Sequence, residues 1–248
     1  MLDQTSKNYE FLSKIYDEIM SGVSHESWYK LIINICEEKK LGKSAKILEL
    51  GGGTGILGKK LKDYGFNYQG SDISFEMAKE AKRKNLDFVC ADSRNIPFCD
   101  KFNLIIFLFD GINYIFNIEE FTKTFQQAYY GLETGGYFLF DITTEVNSMR
   151  NFRNYREAFA AEKFAYIRES YYYESDKEQC NDFEIFIEKK EGIYHRRSEK
   201  HRQKIHSTES IIKSIPQDMF TIEGIYGNFS RERYKKDSER IHFLLKKH

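Results

Sequence analysis

Apolar residues recur at helical spacing near the start of the chain and then in short continuous runs. Residues 8–20 and 25–40 place apolar side chains three and four positions apart, which predicts two amphipathic helices. Residues 46–50 are a short apolar run typical of a buried strand, and residues 56–64 predict a helix that ends at Gly65. The chain therefore opens with two helices and continues with a strand–turn–helix unit.

Strands and helices continue to alternate over the next eighty residues. The pattern predicts strands at 66–72, 87–91, 102–109 and 137–142, with helices after Ser74 and over residues 119–132. The run from Phe102 to Phe109 is so apolar that both of its faces must be covered, which is typical of a central parallel strand. This alternation predicts an α/β fold with a doubly wound, mostly parallel sheet.

The pattern changes after residue 142. Residues 164–173, 182–190 and 193–204 have the character of antiparallel strands, and a short turn at Glu191-Gly192 joins the last two. A helix capped by Ser207 follows, and two terminal strands are expected to return to the main sheet. We therefore expect an antiparallel β patch inserted late in the α/β domain.

Composition excludes some classes of protein. The 248 residues carry 38 basic and 38 acidic side chains, so net charge gives no reason to expect nucleic acid or an anionic membrane as a partner, although residues 194–204 are locally basic. The four cysteines form no CxxC pair, which argues against a zinc site and a disulfide framework. No run approaches the roughly 20 apolar residues of a membrane helix, and the N-terminus is unlike a signal peptide. We expect a cytoplasmic, soluble protein without a metal.

The turn after the first strand carries the candidate chemistry. Its pattern is E-x-G-x-G-x-G, formed by Glu49, Gly51, Gly53 and Gly55. The dinucleotide fingerprint would need a third glycine at position 56, and a P-loop would need a hydroxyl after Gly58-Lys59, so neither pattern is present.

Several strand ends are predicted to converge on this turn. Asp72 lies 21 positions after Gly51, where a carboxylate can accept hydrogen bonds from ribose hydroxyls. Asp92 and the pair Phe109-Asp110 follow the next two strands. Because ligands of such sheets bind at the carboxyl ends of the strands, these residues predict a binding site for a nucleoside-containing ligand.

These motifs resemble a known family. LELGGGTG, GSDIS, CADSRNIPF and IIFLFDGINYI are similar to the sequential motifs of class I S-adenosylmethionine-dependent methyltransferases, over about residues 9–143. The later segments SEKHRQKIHSTE and ERIHFLLKK are similar to a bacterial subgroup that methylates small molecules and includes sugar N,N-dimethyltransferase-like and glycine N-methyltransferase-like proteins.

The resemblance implies a fold and a domain organisation. We expect a seven-stranded, mostly parallel, Rossmann-like sheet with an inserted antiparallel patch. Residues 1–40 would form a helical lid, residues 41–145 and 205–248 the cofactor-binding domain, and residues 146–204 a β subdomain that covers the acceptor. The cofactor would be S-adenosyl-L-methionine and the product S-adenosyl-L-homocysteine.

The resemblance also implies roles for individual residues. Those expected at the cofactor are Tyr16, Trp28, Glu49, Gly51, Gly53, Asp72, Ile73, Met77, Asp92, Ser93 and Phe109. Purely structural roles remain open for several of them: a buried network for Glu49, an ordinary turn for Asp92, core packing for Met77, and helix docking for Tyr16 and Trp28.

The acceptor site is less defined by sequence. Asp110 and Asn113 follow the fourth strand and are the candidate catalytic residues, although Asp110 could equally fix the backbone of Gly111. Tyr114, Glu199, His201 and Arg202 are the candidate acceptor contacts, against the alternative that these residues belong to a solvated strand.

These observations lead to one main hypothesis and two alternatives. The main hypothesis is a methyltransferase, a monomer or homodimer, that acts on a small molecule, at nitrogen rather than oxygen. The FDGINYI segment lacks the NPPY or DPPY motif of methyltransferases that modify nucleic-acid bases. The alternatives are a methyltransferase for RNA or protein, and a non-catalytic protein that binds S-adenosylmethionine.

Overall fold

The computed structural model describes residues 9–248 and contains two sheets in that range. The strands, in chain order, are β1 (Lys46–Glu49), β2 (Asn67–Asp72), β3 (Phe88–Cys90), β4 (Phe102–Phe107), β5 (Leu132–Thr143), β6 (Asn154–Ala160), β7 (Phe164–Tyr173), β8 (Glu178–Lys190), β9 (Ile193–Lys204), β10 (Phe220–Gly227) and β11 (Arg240–Lys247).

The helices are mostly short or of medium length. They are α1 (Tyr16–Ile19), α2 (His25–Glu38), α3 (Ile56–Tyr64), α4 (Phe75–Arg83), α5 (Ile118–Gly131), α6 (Glu145–Asn147) and α7 (Thr208–Ser214). Single 3₁₀ turns occupy Leu12–Lys14, Met20–Gly22 and Gly111–Tyr114, and a π turn spans Ser148–Phe152. No helix within residues 9–248 is long and apolar enough to cross a bilayer.

The main sheet has seven strands in the order β10-β11-β5-β4-β1-β2-β3. The pairs β1–β2, β1–β4, β2–β3 and β4–β5 are parallel, whereas β11 pairs antiparallel with both β5 and β10. This arrangement confirms the predicted doubly wound, mostly parallel α/β fold.

The central strand β4 is covered on both faces, as its apolar sequence predicts. Leu104 and Ile106 pack in one core with side chains of α2, α3 and α4. Ile105 and Phe107 pack in a second core with side chains of α5 and α7. Because both cores are filled, the carboxyl edge of the sheet is where a ligand can reach the strands.

The second sheet, of order β6-β7-β8-β9, is antiparallel throughout and confirms the predicted β patch. Strand β6 was not expected, because its exposed sequence lacks apolar alternation. The inner face of this sheet packs Phe164, Phe183 and Ile185 against Leu12 and Ile15 of residues 9–22, which we call the N-terminal segment. The sheet and the N-terminal segment thus share one small hydrophobic core.

The prediction of a single helix over residues 8–20 is wrong for the part that the structure describes. Residues 9–22 instead form three short helical pieces that begin after Tyr9, whose φ is +68°. The physical reason is the left-handed backbone of Tyr9, which breaks a helix at that residue, and Glu199 holds the segment after the break by accepting hydrogen bonds from the N–H groups of Tyr9, Phe11 and Leu12. Residue 8 lies outside the described residues.

Candidate active site

The glycine turn after β1 adopts a backbone that glycine favours. Gly51, Gly53 and Gly55 have φ values of +60°, +57° and +77°. A Cβ added to Gly55 would lie 2.3 Å from Cδ1 of Leu86. The turn is therefore fixed by close packing as well as by dihedral angle, and it directs the N–H of Gly53 towards the end of β2.

Asp72 receives that N–H group at the end of β2. Its Oδ2 accepts a hydrogen bond from Gly53 N at 2.9 Å, and its Oδ1 accepts one from Ser74 N at 2.8 Å. Burial raises the pKa of Asp72 to about 6, although these two hydrogen bonds oppose the rise. A carboxylate has about four acceptor positions, so Asp72 can accept two further hydrogen bonds from a ligand.

A cleft opens above Asp72 and the glycine turn, and we call it the glycine cleft. Nine of the eleven residues expected at the cofactor line it: Tyr16, Gly51, Gly53, Asp72, Ile73, Met77, Asp92, Ser93 and Phe109. Tyr9, Ala91, Arg94, Phe107, Gly111, Tyr114 and Ile115 complete the lining. The cleft thus combines two carboxylates, those of Asp72 and Asp92, with apolar and aromatic side chains.

Glu49 does not line the glycine cleft. Its carboxylate is buried beneath the turn, where it accepts a 2.5 Å hydrogen bond from the hydroxyl of Tyr68. Burial raises the pKa of Glu49 to about 8. The contacts of this residue are those of a buried network under the glycines.

Trp28 also lies outside the glycine cleft. Its ring stacks on Phe109 with 3.9 Å between centroids, and its Nε1 donates to Oδ2 of Asp141 at 2.8 Å. Phe109 itself has a φ of +57°, which is strained for a residue with a side chain. Trp28 therefore fixes the ring of Phe109 from outside the glycine cleft.

The sequence did not single out Arg94, which contacts a predicted site residue. Its guanidinium lies on Asp92, with Nε to Oδ1 at 2.9 Å and Nη2 to Oδ2 at 2.6 Å, and it also pairs with Glu120 at 2.9 Å. A basic residue two positions after the aspartate was the available signal. Asp92 is therefore already paired with Arg94 when a ligand binds in the glycine cleft.

A second space lies under the inserted sheet, and we call it the covered cavity. Its volume is about 370 Å³, and side chains of the N-terminal segment, the loop after β4, the inserted sheet and β11 line it. Four residues belong to the linings of both spaces: Tyr9, Tyr16, Phe109 and Tyr114. These four side chains, which we call the shared wall, border both the glycine cleft and the covered cavity.

Asp110 lies in the covered cavity and is held by several neighbours. Its Oδ1 accepts from Arg240 Nη2 at 2.7 Å, its Oδ2 accepts from Gln203 Nε2, and its N–H donates to Oδ1 of Asp141 at 2.7 Å. Burial raises the pKa of Asp110, while Arg240 opposes the rise. Asp110 follows β4 with a φ of +51°, and these hydrogen bonds fix its side chain in the lining of the covered cavity.

Of the candidate catalytic and acceptor residues, Asn113, Glu199 and Arg202 are in neither lining, and Glu199 reaches the covered cavity only through His201. Asn113 is fully buried, and its amide bridges the carbonyl of Lys204 at 2.8 Å and the N–H of Thr143 at 3.1 Å. Arg202 projects from the opposite face of β9 and pairs with Glu178, because side chains alternate along a strand. The structure places neither Asn113 nor Arg202 at the cavity, so the first leaves the catalytic set and the second leaves the acceptor contacts.

Glu199, His201 and Tyr114 form a polar chain that reaches the shared wall. Nε2 of His201 lies 3.3 Å from Oε2 of Glu199, at ion-pair distance but without good hydrogen-bond alignment. Nδ1 of His201 lies 3.5 Å from the hydroxyl of Tyr114, which in turn is 2.6 Å from that of Tyr9. Burial opposes ionisation of Glu199, yet His201 and the N–H groups of residues 11 and 12 lower its pKa.

Several polar residues of the covered cavity were not predicted. Arg168 and Asn181 come from β7 and β8, Gln203 from β9 and Arg240 from β11. A chain of amide hydrogen bonds runs from Gln179 to Gln203 at 3.1 Å and on to Asp110. Among residues 9–248, no group of three or more metal-ligating side chains converges.

Known proteins share both the sequence motifs and the fold. Residues 47–136 match the family described as "Methyltransferase domain". A crystal structure of an S-adenosylmethionine-dependent methyltransferase from Clostridium acetobutylicum ATCC 824 is similar at 28% identity with a TM-score of 0.80, covering 95% of this chain and 97% of that one. The Bacillus subtilis protein named "Putative methyltransferase YqeM" is 26% identical over 245 residues, which cover 96% of this chain and 97% of the relative.

A more distant likeness concerns the fold alone. The sugar N-methyltransferase KedS8 from Streptoalloteichus has 14% identity and a TM-score of 0.73, with 92% of each chain covered. The glycine turn, the carboxylate at the end of β2, the seven-stranded order and these similarities agree. Residues 47–136 therefore carry a methyltransferase domain, and the whole chain is similar in sequence and fold to an S-adenosylmethionine-dependent methyltransferase.

Proposed function

We propose that this methyltransferase transfers the methyl group to a nitrogen atom of a small molecule bound in the covered cavity. The observation that carries the proposal is the shared wall of Tyr9, Tyr16, Phe109 and Tyr114, where the glycine cleft and the covered cavity meet. A methyl donor in the first space and an acceptor in the second would face each other there. The inserted sheet and the N-terminal segment line the second space, whose volume of about 370 Å³ suits a small acceptor.

The residues of the glycine cleft fit S-adenosylmethionine. Asp72 has two acceptor positions left for the ribose hydroxyls, and charge-assisted hydrogen bonds of this kind are strong. Ile73 and Met77 offer an apolar surface for the adenine ring, and the Asp92–Arg94 pair lies at its polar edge. Tyr16 and Phe109 would enclose the methionine end and exclude water.

The chemistry needs a nucleophile with a free lone pair. When bound, S-adenosylmethionine supplies a methyl group whose bond to sulfur breaks with the electron pair retained by sulfur, while the acceptor nitrogen's lone pair forms the new N–C bond. The acceptor nitrogen must then release one proton, so the chain has to provide a proton acceptor near the shared wall.

His201 is the proposed proton acceptor. Its Nδ1 faces the Tyr114 hydroxyl at 3.5 Å, and its Nε2 faces the Glu199 carboxylate at 3.3 Å. Glu199 would keep the proton of the imidazole on Nε2, which leaves Nδ1 as the basic atom. Tyr114 and Tyr9 would pass the proton from the shared wall to His201. Asp110, held by Arg240 and Gln203, is assigned a positioning role for Phe109 instead.

Two further observations support a small acceptor with a nitrogen nucleophile. On the outer face of β9, Arg196 pairs with Glu184 at 2.6 Å and Lys200 with Asp182 at 3.0 Å, so acidic partners offset much of the basic charge that an RNA would need. The neighbours of similar fold include the sugar N-methyltransferase KedS8 and the amino pentose methyltransferase CalS10.

The proposed domain roles follow the same division. Residues 41–145 and 205–248 would bind the cofactor, and residues 146–204 would cover the acceptor. The N-terminal lid, residues 1–40, is proposed on its described part, because Tyr9, Tyr16 and Trp28 all border the covered cavity.

The test combines cofactor binding with turnover. Calorimetry should show binding of S-adenosylmethionine, and mass spectrometry should detect methylated products from a panel of amines, amino acids and amino sugars but not from RNA or protein. His201→Asn should lower kcat by about 10²- to 10⁴-fold without changing cofactor affinity, whereas His195→Asn on the same strand should not. Transfer to RNA or protein alone, or full activity of His201→Asn, would contradict the proposal.

A further inference from the structure

Arg168 is a cation of the covered cavity whose hydrogen bonds go to neutral groups. Nη2 donates to Oδ1 of Asn181 at 2.8 Å, and Nε donates to Oγ of Ser170 at 3.1 Å. The nearest carboxylate oxygen, Oε1 of Glu157, lies 3.7 Å from Nη1, beyond hydrogen-bond distance. Glu157 is therefore an ion-pair partner of Arg168, but no carboxylate accepts a hydrogen bond from this guanidinium.

The other guanidinium of the cavity is in a different situation. Arg240 pairs with both Asp110 and Asp141, at 2.7 and 3.0 Å. Asp110 is also the carboxylate of the cavity lining, and Arg240 and Gln203 already occupy its two oxygens. The described lining thus offers one cation that donates no hydrogen bond to a carboxylate, and no unengaged carboxylate.

The surroundings hold the Arg168 side chain in a fixed position. Its guanidinium lies over the rings of Phe152, Tyr155 and Phe183, at 5.2, 5.7 and 5.6 Å from their centroids, and only 20% of the side chain is exposed. Because Oδ1 of Asn181 accepts from both Arg168 and Ser170, the Nδ2 of Asn181 remains a donor beside the guanidinium. The N–H groups of Nη1 and the second N–H of Nη2 remain as donors, and with the neighbouring amide they can bind a carboxylate or phosphate.

Arg168 lines the same cavity as Tyr9, Tyr16, Phe109 and Tyr114 of the shared wall. An acceptor bound at Arg168 would therefore lie in the space that borders the shared wall.

We infer that Arg168 and Asn181 form an anion subsite, so that the acceptor carries a carboxylate or phosphate in addition to its amine. The inference rests on the proposed function. Such an acceptor is bound by its anionic end, which leaves the amine at the shared wall. Because no unengaged carboxylate of the described lining is present to stabilise an ammonium ion, the amine is favoured in its neutral, nucleophilic form.

The first experiment uses simple anions as probes. The full-length enzyme, loaded with S-adenosylhomocysteine, is titrated calorimetrically with inorganic phosphate and with acetate at constant ionic strength. Binding of either anion is expected for the unmodified enzyme, and which one binds more tightly distinguishes phosphate from carboxylate. Arg168→Gln should weaken this binding about 10- to 100-fold, while Arg156→Gln on the exposed side of β6 should not.

A second variant separates charge from folding. Asn181→Asp places a carboxylate against Arg168, so the ion pair should keep the sheet stable while anion binding is lost. In turnover, ethanolamine, β-alanine and O-phosphoethanolamine present the same amine with no anion, a carboxylate and a phosphate. Faster methylation of an anionic member, lost in Arg168→Gln through a higher KM, supports the subsite.

Failure of the inference is distinguishable from failure of the proposed function. No anion binding by the cofactor-loaded enzyme, or equal binding by Arg168→Gln and the unmodified enzyme, would overturn the anion subsite alone. Loss of cofactor binding in the unmodified enzyme, or transfer only to macromolecules, would instead overturn the proposed function and the inference with it.

Discussion

Replacement of Asp72 by asparagine tests the proposed ribose contact at the end of β2. The neutral amide would turn two charge-assisted hydrogen bonds to the ribose into ordinary ones at best, and its NH₂ group would also face either Gly53 N or Ser74 N. Hydrogen bonds to charged groups contribute about 1.5–3 kcal/mol and neutral ones about 0.5–1.5 kcal/mol. We therefore expect a loss of about 2–3 kcal/mol, or about 30- to 150-fold in Kd.

Calorimetry with both S-adenosylmethionine and S-adenosylhomocysteine is the assay. Both ligands contain the ribose, so both Kd values should rise by the same factor, while Asp63→Asn on the exposed side of α3 should change neither. Burial raises the pKa of Asp72 to about 6, so protonation should weaken binding by the unmodified enzyme as pH falls through 6, and Asp72→Asn should lack this dependence. A folded variant with unchanged Kd values would refute the ribose assignment.

Three further predictions concern stability. Trp28→Phe keeps the stacking on Phe109 but removes the indole donor from buried Asp141, so urea unfolding should show a loss of about 1.5–3 kcal/mol. Gly55→Ala should lower the melting temperature more than Gly135→Ala; both positions have φ near +78°, but only the first meets a leucine side chain, and equal effects would contradict the packing argument. Burial lowers the pKa of His242 from about 6.5 to about 4. The contribution of neutral His242 to the free energy of unfolding is therefore fully present above pH 6.5 and is lost as pH falls through 4, by about 3 kcal/mol in total. In urea titrations, His242→Gln should lose less stability over this pH range than the unmodified protein.

The glycine cleft could be predicted from the sequence because each of its predicted residues was identified from the strand next to it in the chain. Gly51, Gly53, Asp72 and Asp92 each lie at the end of a strand or within four residues of it, and parallel strands bring their carboxyl ends to one edge of the sheet. The apolar run of β4 identified the centre of the sheet for the same reason. The apolar periodicity and the direction of the strands were therefore enough to predict where these residues lie.

The covered cavity could not be predicted in this way. Arg168, Asn181 and His201 are brought onto one face by the register of β7, β8 and β9, and a shift of one residue would turn each of them to the other face. Alternation along β9 could have separated Glu199 and His201 from Arg202, because their side chains lie on opposite faces. No sequence signal indicated that the side-chain nitrogen and oxygen of Asn113 are both hydrogen-bonded to backbone groups.

The N-terminal segment is attached to both halves of the molecule. Glu199 of the inserted sheet holds the N–H groups of residues 9, 11 and 12, while Asp17 accepts a hydrogen bond from Thr54 in the glycine turn and pairs with Lys84. Movement of this one segment would therefore change both binding spaces at once, because Tyr9 and Tyr16 line the glycine cleft and the covered cavity alike.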